Sequence, residues 1–239
     1  MKKFRPAFSA LILAALLPLA FAQTPTAAPA KKIDASAPIA KADANGVINA
    51  NFQKSHESFL ARGKAGPIDV LFLGDSITAG WANPARAHIW ESFYGKNQPA
   101  NFGIGGDRTE HVLWRLENGN FDGLKPKEIV LMIGTNNTGH QGRAQKELNG
   151  AVYACTAEQT AEGIKAIIAK LQQKCPDAKI LILAIFPRGA NKDDKFRQQN
   201  EATNAIVKGF ADDKKVFFLD VGAKFLAADG TLPKSIMPD

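Results

Sequence analysis

Five short runs of this 239-residue chain are apolar at neighbouring positions rather than at alternate ones: 68–73, 100–102, 128–133, 179–185 and 216–219. A strand that is apolar on both faces has to be covered on both, which is the condition of a parallel sheet with helices above and below. The stretches between these runs have the helical period instead. Phe52, Phe59 and Leu60 fall on one side of 50–62, and Val112, Leu113 and Leu116 on one side of 109–118. A further helical stretch lies near 86–94. Ala161, Ile164, Ile167, Ile168 and Leu171 line 157–174, which opens on the Thr156/Gln159 capping box and stops before Pro176. Phe196, Ile206, Val207 and Phe210 line 195–210. The alternation predicts an α/β protein: a three-layer α/β/α sandwich around a five-stranded parallel sheet.

Ligands of such sheets bind beyond the carboxyl ends of the strands. The first run ends in Gly74-Asp75-Ser76-Ile77-Thr78. A serine at a strand-to-helix turn can expose its hydroxyl and offer its own N–H, although such tripeptides also cap helices. The second ends in Gly103-Ile104-Gly105-Gly106-Asp107-Arg108, where glycine lets the backbone approach a ligand. That turn could cradle phosphate or be purely structural; Thr109 stands where G-x-G-x-x-G needs its last glycine. The third ends in Gly134-Thr135-Asn136-Asn137, and Asn136 is either an amide donor or an ordinary turn asparagine. Together the three loops supply a nucleophile, a backbone donor and an amide donor on one sheet edge. Acyl transfer through a tetrahedral oxyanion needs that set.

Over most of residues 50–239 the sequence resembles the SGNH (GDSL-type) hydrolases. The likeness rests on L-F-L-G-D-S-I-T-A-G-W at 71–81, N-F-G-I-G-G-D-R-T at 101–109 and I-G-T-N-N at 133–137, in that order. The stretches I-F-P-R-G at 185–189 and L-P-K-S-I-M-P-D at 232–239 are similar to the platelet-activating-factor acetylhydrolase-like branch. The resemblance implies a flavodoxin-like SGNH fold and hydrolysis of small, acetyl-type carboxyl esters, carbohydrate-borne ones included, without metal or cofactor. It implies Ser76 as nucleophile, with Ser76, Gly105 and Asn136 forming the oxyanion hole. Asp239 matches the aspartate of the family's D-x-x-H motif. The histidine of that motif would be residue 242, and the family's last helix would follow it. The expectation for the 239 residues is therefore a domain without its C-terminal helix and with impaired activity, since serine needs a base to take its proton. The alternative is a catalytically inactive domain of this type that binds a glycan or an acylated ligand.

Of the four histidines, His140 lies just past the Asn136 loop and is the candidate for a substitute base; His56, His88 and His111 are expected to pack or face solvent. Trp81 is a candidate wall of the acyl site, and Arg188, at the end of the fourth run, a candidate contact for an anionic or sugar group. Asp107 is expected as a helix cap, Arg108 as a surface arginine and Asp75 as structural.

At the N-terminus, Lys2, Lys3 and Arg5 precede an apolar stretch at 8–19 and Ala20-Phe21-Ala22, the pattern of a secretory signal peptide over 1–22. The stretch is shorter than the ~20 residues of a spanning helix, so no stable membrane anchor is expected. Export to the periplasm or beyond follows. Residues 23–48, rich in Ala and Pro, are expected to form a disordered linker ahead of the domain at 49–239. Cleavage takes the formal charge from +7 to +4, too mild and too scattered to indicate a nucleic-acid partner. Cys155 and Cys175 flank one helix, about 27 Å apart at 1.5 Å per residue. A disulfide needs Cα atoms within ~7 Å, so two free thiols are expected. The expected partner is a small-molecule or carbohydrate ester, and the oligomeric state stays open.

Overall fold

Beyond Met1, the computed structural model describes residues 30–237. The signal peptide expected at 1–22, linker residues 23–29 and Asp239 lie outside the described residues. Five parallel strands form the main sheet: β2 (Val70–Gly74), β3 (Ala100–Gly103), β4 (Glu128–Met132), β6 (Lys179–Leu183) and β7 (Val216–Leu219), in the spatial order β3-β2-β4-β6-β7. The α/β fold class read from the sequence is the one found. The order reverses at β2, which makes the crevice beside it the topological switch point.

Right-handed crossovers decide which face each helix covers. The connection from β2 to β3 runs one way across the sheet and carries α3 (Ala87–Tyr94). Those from β3 to β4, β4 to β6 and β6 to β7 run the other way, carrying α4 (Thr109–Glu117), α6 (Ala157–Lys174) and α7 (Lys195–Lys208). The main core lies on the second of these faces. Leu71, Leu73, Ile129, Leu131, Ile180 and Ile182 pack there on Val112 and Leu116 of α4 and on Ile164, Ile167 and Leu171 of α6. Phe59 of α1 (Ala50–Lys64) joins them by stacking on Phe102, with ring centroids 4.6 Å apart. On the opposite face Phe72 meets Trp90 and Tyr94 of α3. Cover thins out toward β7 among the described residues: Leu181, Leu183 and Phe217 are half-buried and Leu219 is exposed.

The capping box is formed as read, with Thr156 Oγ1 accepting from the Gln159 N–H and Gln159 Oε1 accepting from the Thr156 N–H. Helix α6 accordingly spans the expected residues. Cys155 and Cys175 are free and buried at its two ends.

The linker expectation needs correction in its described part. Residues 30–48 are folded against the domain. Strand β1 (Ala30–Lys32) pairs in parallel with β5 (Val152–Ala154), forming a two-stranded sheet. Ile33 and Ala35 are buried with Leu148, Tyr153 and Cys155. The Ile39 N–H donates to the Glu110 carbonyl, and Thr109 Oγ1 donates to the carbonyl of Ala35. Backbone hydrogen bonds and small apolar residues hold this arm, and neither leaves the periodic large-apolar signal by which ordered segments are recognised.

Candidate active site

Register brings the three loops to one level. Gly74, the last residue of β2, pairs with Gly103 at the end of β3 and with Met132 at the end of β4. A single turn of helix, α2 (Ser76–Ala79), then rises directly over β3. Gly103 has to be glycine for that: a Cβ there would stand 2.3 Å from the Ala79 nitrogen and 2.8 Å from the Asp75 carbonyl oxygen.

Asp75 caps α2, its Oδ1 accepting from the Ile77 N–H at 2.9 Å, and it is buried. Burial raises its carboxyl to about 7, against the pull of the Ile77 hydrogen bond and with a further push from the Asp107 charge. Its Oδ2 is buried with no hydrogen-bond partner among the described residues. Ser76 follows at the start of α2 with its side chain exposed.

The loop after β3 is a turn closed by the Asp107 N–H donating to the Ile104 carbonyl at 3.1 Å, and Gly106 holds φ at +73°. The open side of Gly105 faces Ser76; a Cβ on Gly105 would lie 3.8 Å from Ser76 Cβ. Asn136 belongs to the short helix α5 (Thr135–Gly139) after β4 and donates through Nδ2 to the carbonyl of Asp107 at 2.9 Å. One amide proton is spent on that bond, and the second has no acceptor among the described residues. The structure thus brings Ser76, Gly105 and Asn136 to one place.

Asp107 and Arg108 differ from expectation. Asp107 is no helix cap: it is fully buried, paired with Arg115 at 2.8 Å and with Lys41 at 2.7 Å. Arg108 is no surface arginine. It is buried over the Tyr153 ring, where it meets Glu110, Glu147, His111, Gln145 and His140. In both cases part of the opposite charge comes from a distant segment, Lys41 for Asp107 and Glu147 for Arg108, which local sequence does not reveal.

His140 is not suited to act as the base. Its Nδ1 lies 3.0 Å from Nη1 of Arg108, and burial, reinforced by that guanidinium, lowers it to about 4. His111 is buried in the same network, and His56 sits 3.0 Å from the Asn118 carbonyl; burial lowers both. His88 is exposed on α3. Asp239 falls outside the described residues.

Arg188 lies beside the Asn136 loop, its Nη1 3.2 Å from Thr135 Oγ1 and its guanidinium against Gly139, where a Cβ would come within 2.8 Å. Trp81 packs toward Trp90 and lines a groove of about 420 Å³ along β3 with Phe59 and Pro99. Three residues that sequence reasoning passed over also build the site. Lys41 contacts the Gly105 loop, while Asn137 joins Thr109 to Tyr153 with its buried amide. Asn137 was within a quoted motif; Lys41 and Tyr153 carried no local signal.

The model of the GDSL-like Lipase/Acylhydrolase family matches residues 72–239. The human platelet-activating factor acetylhydrolase IB subunit alpha1 is 36% identical over 187 residues, covering 77% of this chain and 72% of the relative. The chicken alpha2 subunit is 37% identical over 182 residues, covering 76% and 71%. Among solved structures, a GDSL-like lipase from Bacteroides thetaiotaomicron superposes with a TM-score of 0.54 at 20% identity, covering 76% of this chain and 92% of that one. A catalytic mutant of an acetylxylan esterase from Geobacillus stearothermophilus gives 0.51 at 20% identity, covering 70% and 86%. The family model spans all three strand-end loops, and the chain belongs to the GDSL-like lipase/acylhydrolase family of carboxylic ester hydrolases.

Proposed function

We propose that this protein hydrolyses small acetyl esters with Ser76 as nucleophile. The convergence of three strand-end loops carries the reading: Gly105 faces Ser76, and the Asn136 amide is tied to the same loop through the Asp107 carbonyl. In the first step Ser76 Oγ bonds to the ester carbonyl carbon, and the carbonyl π pair moves onto oxygen. The Ser76 and Gly105 N–H groups and the free proton of Asn136 Nδ2 receive that oxyanion. Its collapse expels the alcohol and leaves an acyl-serine, which water hydrolyses to acetate. Serine needs a base to take its proton; Asp239 matches the aspartate of the family's D-x-x-H motif, whose histidine would take the Ser76 proton and return it to the departing alcohol. A single oxyanion donor of this kind is worth about 3–4 kcal/mol in the transition state.

The acetyl preference is supported by the names of the curated relatives. A carbohydrate carrier is supported by the half-exposed Trp81 and Trp90 in the groove along β3. Hydrolysis of p-nitrophenyl acetate, p-nitrophenyl octanoate and acetylated xylooligosaccharides by the protein expressed from its gene tests the reading. Acetyl esters should turn over fastest. Ser76→Ala should abolish turnover, and Asn136→Ala should lower kcat by roughly 10²–10³. Turnover that survives Ser76→Ala would remove the serine from the mechanism.

The reading includes export, on the strength of the positive, apolar and Ala-Phe-Ala succession at 2–22. N-terminal sequencing of the protein made with its own leader in a Gram-negative host should begin at Gln23. Recovery in the cytoplasm with the leader intact would contradict it.

A further inference from the structure

The arm at 33–41 ends on the oxyanion loop. It crosses α6 and α4 with a turn at 34–37, closed by the Ala37 N–H donating to the Asp34 carbonyl. The carbonyl of Ile33 accepts from Gln159 Nε2 at 2.6 Å, that of Ala35 accepts from Thr109 Oγ1 at 2.9 Å, and the Ile39 N–H donates to Glu110 at 3.0 Å. Lys41 is then held at its backbone, where its carbonyl takes the Asn49 N–H at 2.8 Å, and at its ammonium, with Nζ over the Phe52 ring 5.5 Å from its centre. The ammonium donates to the Gly105 carbonyl at 2.6 Å and pairs with Asp107 Oδ1 at 2.7 Å. It therefore touches both functional residues of the loop: the one that offers an N–H to the oxyanion, and the one whose carbonyl positions the Asn136 amide.

The contact matters because of what that turn could otherwise do. Ile104–Asp107 is a four-residue turn with glycine at both central positions and positive φ at the second, the type II pattern. Types I and II differ in the direction of the central peptide, and two glycines leave both directions sterically open. The central carbonyl is that of Gly105. Turned the other way, it would swing its negative end out of reach of Lys41 and rearrange the backbone beside Ser76. A cation on that oxygen selects one orientation by a charge-assisted hydrogen bond.

We propose that Lys41 is a positioning residue of the oxyanion hole, fixing the Gly105–Gly106 peptide through its bond to the Gly105 carbonyl and its ion pair with Asp107. The inference rests on the reading of Gly105 and Asn136 as oxyanion donors. Neither the family model, which begins at residue 72, nor the three motifs include the arm.

Two readouts test it, one of which does not depend on turnover. In Lys41→Met, which keeps an unbranched side chain but removes the charge, the ¹⁵N amide signals of Gly105 and Gly106 should shift and broaden by exchange; in Lys41→Arg they should stay near their parent positions. On p-nitrophenyl acetate, Lys41→Met should lower kcat about tenfold or more with KM within about twofold, and Lys41→Arg should recover most of the loss. Gln159→Ala loosens the far end of the arm without touching the loop, and should leave kcat close to that of the parent. Unmoved Gly105 and Gly106 signals in Lys41→Met would overturn the proposal. So would a loss of kcat that Gln159→Ala reproduces, since that would mark general loosening of the arm. If Ser76→Ala keeps the parent's turnover, the esterase reading of Ser76 fails, and the amide signals still decide the role of Lys41.

Discussion

At the residue scale, the site combines an exposed serine with a buried acid that has no ion-pair partner among the described residues. The family resemblance implied a structural Asp75, and its cap on Ile77 agrees. Its protonation was not legible, because it depends on what covers it. The folded state holds its carboxyl at about 7, chiefly by burial, above the ordinary value near 4. A raised folded-state pKa stabilises the fold below the unfolded value and loses that contribution as pH rises through about 7. Asp75→Asn keeps the oxygen that accepts from Ile77 and cannot ionise. The melting temperature of the parent relative to Asp75→Asn should therefore fall between pH 4 and pH 8. A difference constant over that range would mean that Asp75 is ionised throughout. Asp107 and Arg108 make the same point from the other side: helix caps and surface arginines are what adjacent charges normally become. Here Lys41, Arg115 and Glu147 arrive from elsewhere in the chain to neutralise them. Sequence separation hides such pairs, because charge matching requires proximity only in space.

At the element scale, long periodic segments declared themselves and short ones did not. Helix α6 matches its expected span because a capping box, a five-residue apolar stripe and Pro176 all act locally. Helices α2 and α5 are too short to show a period, and β1 and β5 are three residues each, so their formation depends on what they pack against. The arm illustrates the cost of that dependence. Where it crosses α6, Gly163 leaves room for it: a Cβ would stand 2.5 Å from the Ala35 oxygen and 2.5 Å from Thr109 Oγ1. In a bare helix Gly→Ala gains about 1 kcal/mol. Here Gly163→Ala should instead destabilise by roughly 1–3 kcal/mol, the usual range for overpacking, in urea unfolding. A gain in stability would show that the arm is not seated on α6.

At the scale of the whole molecule, the direction of the crossovers leaves the two faces of the sheet unequally covered. Ile182 points into the core at 2% exposure, while its neighbour Leu181 is half-buried on the face carrying α3. Ile182→Ala should cost about 2–5 kcal/mol and Leu181→Ala clearly less, since the cost follows the cavity left behind. Equal losses in urea unfolding would mean that the α3 face is as closely packed as the other. The amino-acid sequence by itself determined the parallel sheet, the order of its helices and the three loops beyond its strands. Those features follow from local periodicity, strand-end glycines and motif spacing, all of which are written consecutively along the chain. Only the tertiary structure decided that the Ala/Pro-rich arm is part of the domain and that His140 is spent on Arg108. It also decided that Ser76 faces Gly105, with Lys41 holding that loop from behind. Each of these is a meeting of residues remote in sequence, set by burial and by the matching of charges, and neither leaves a pattern until the chain has folded.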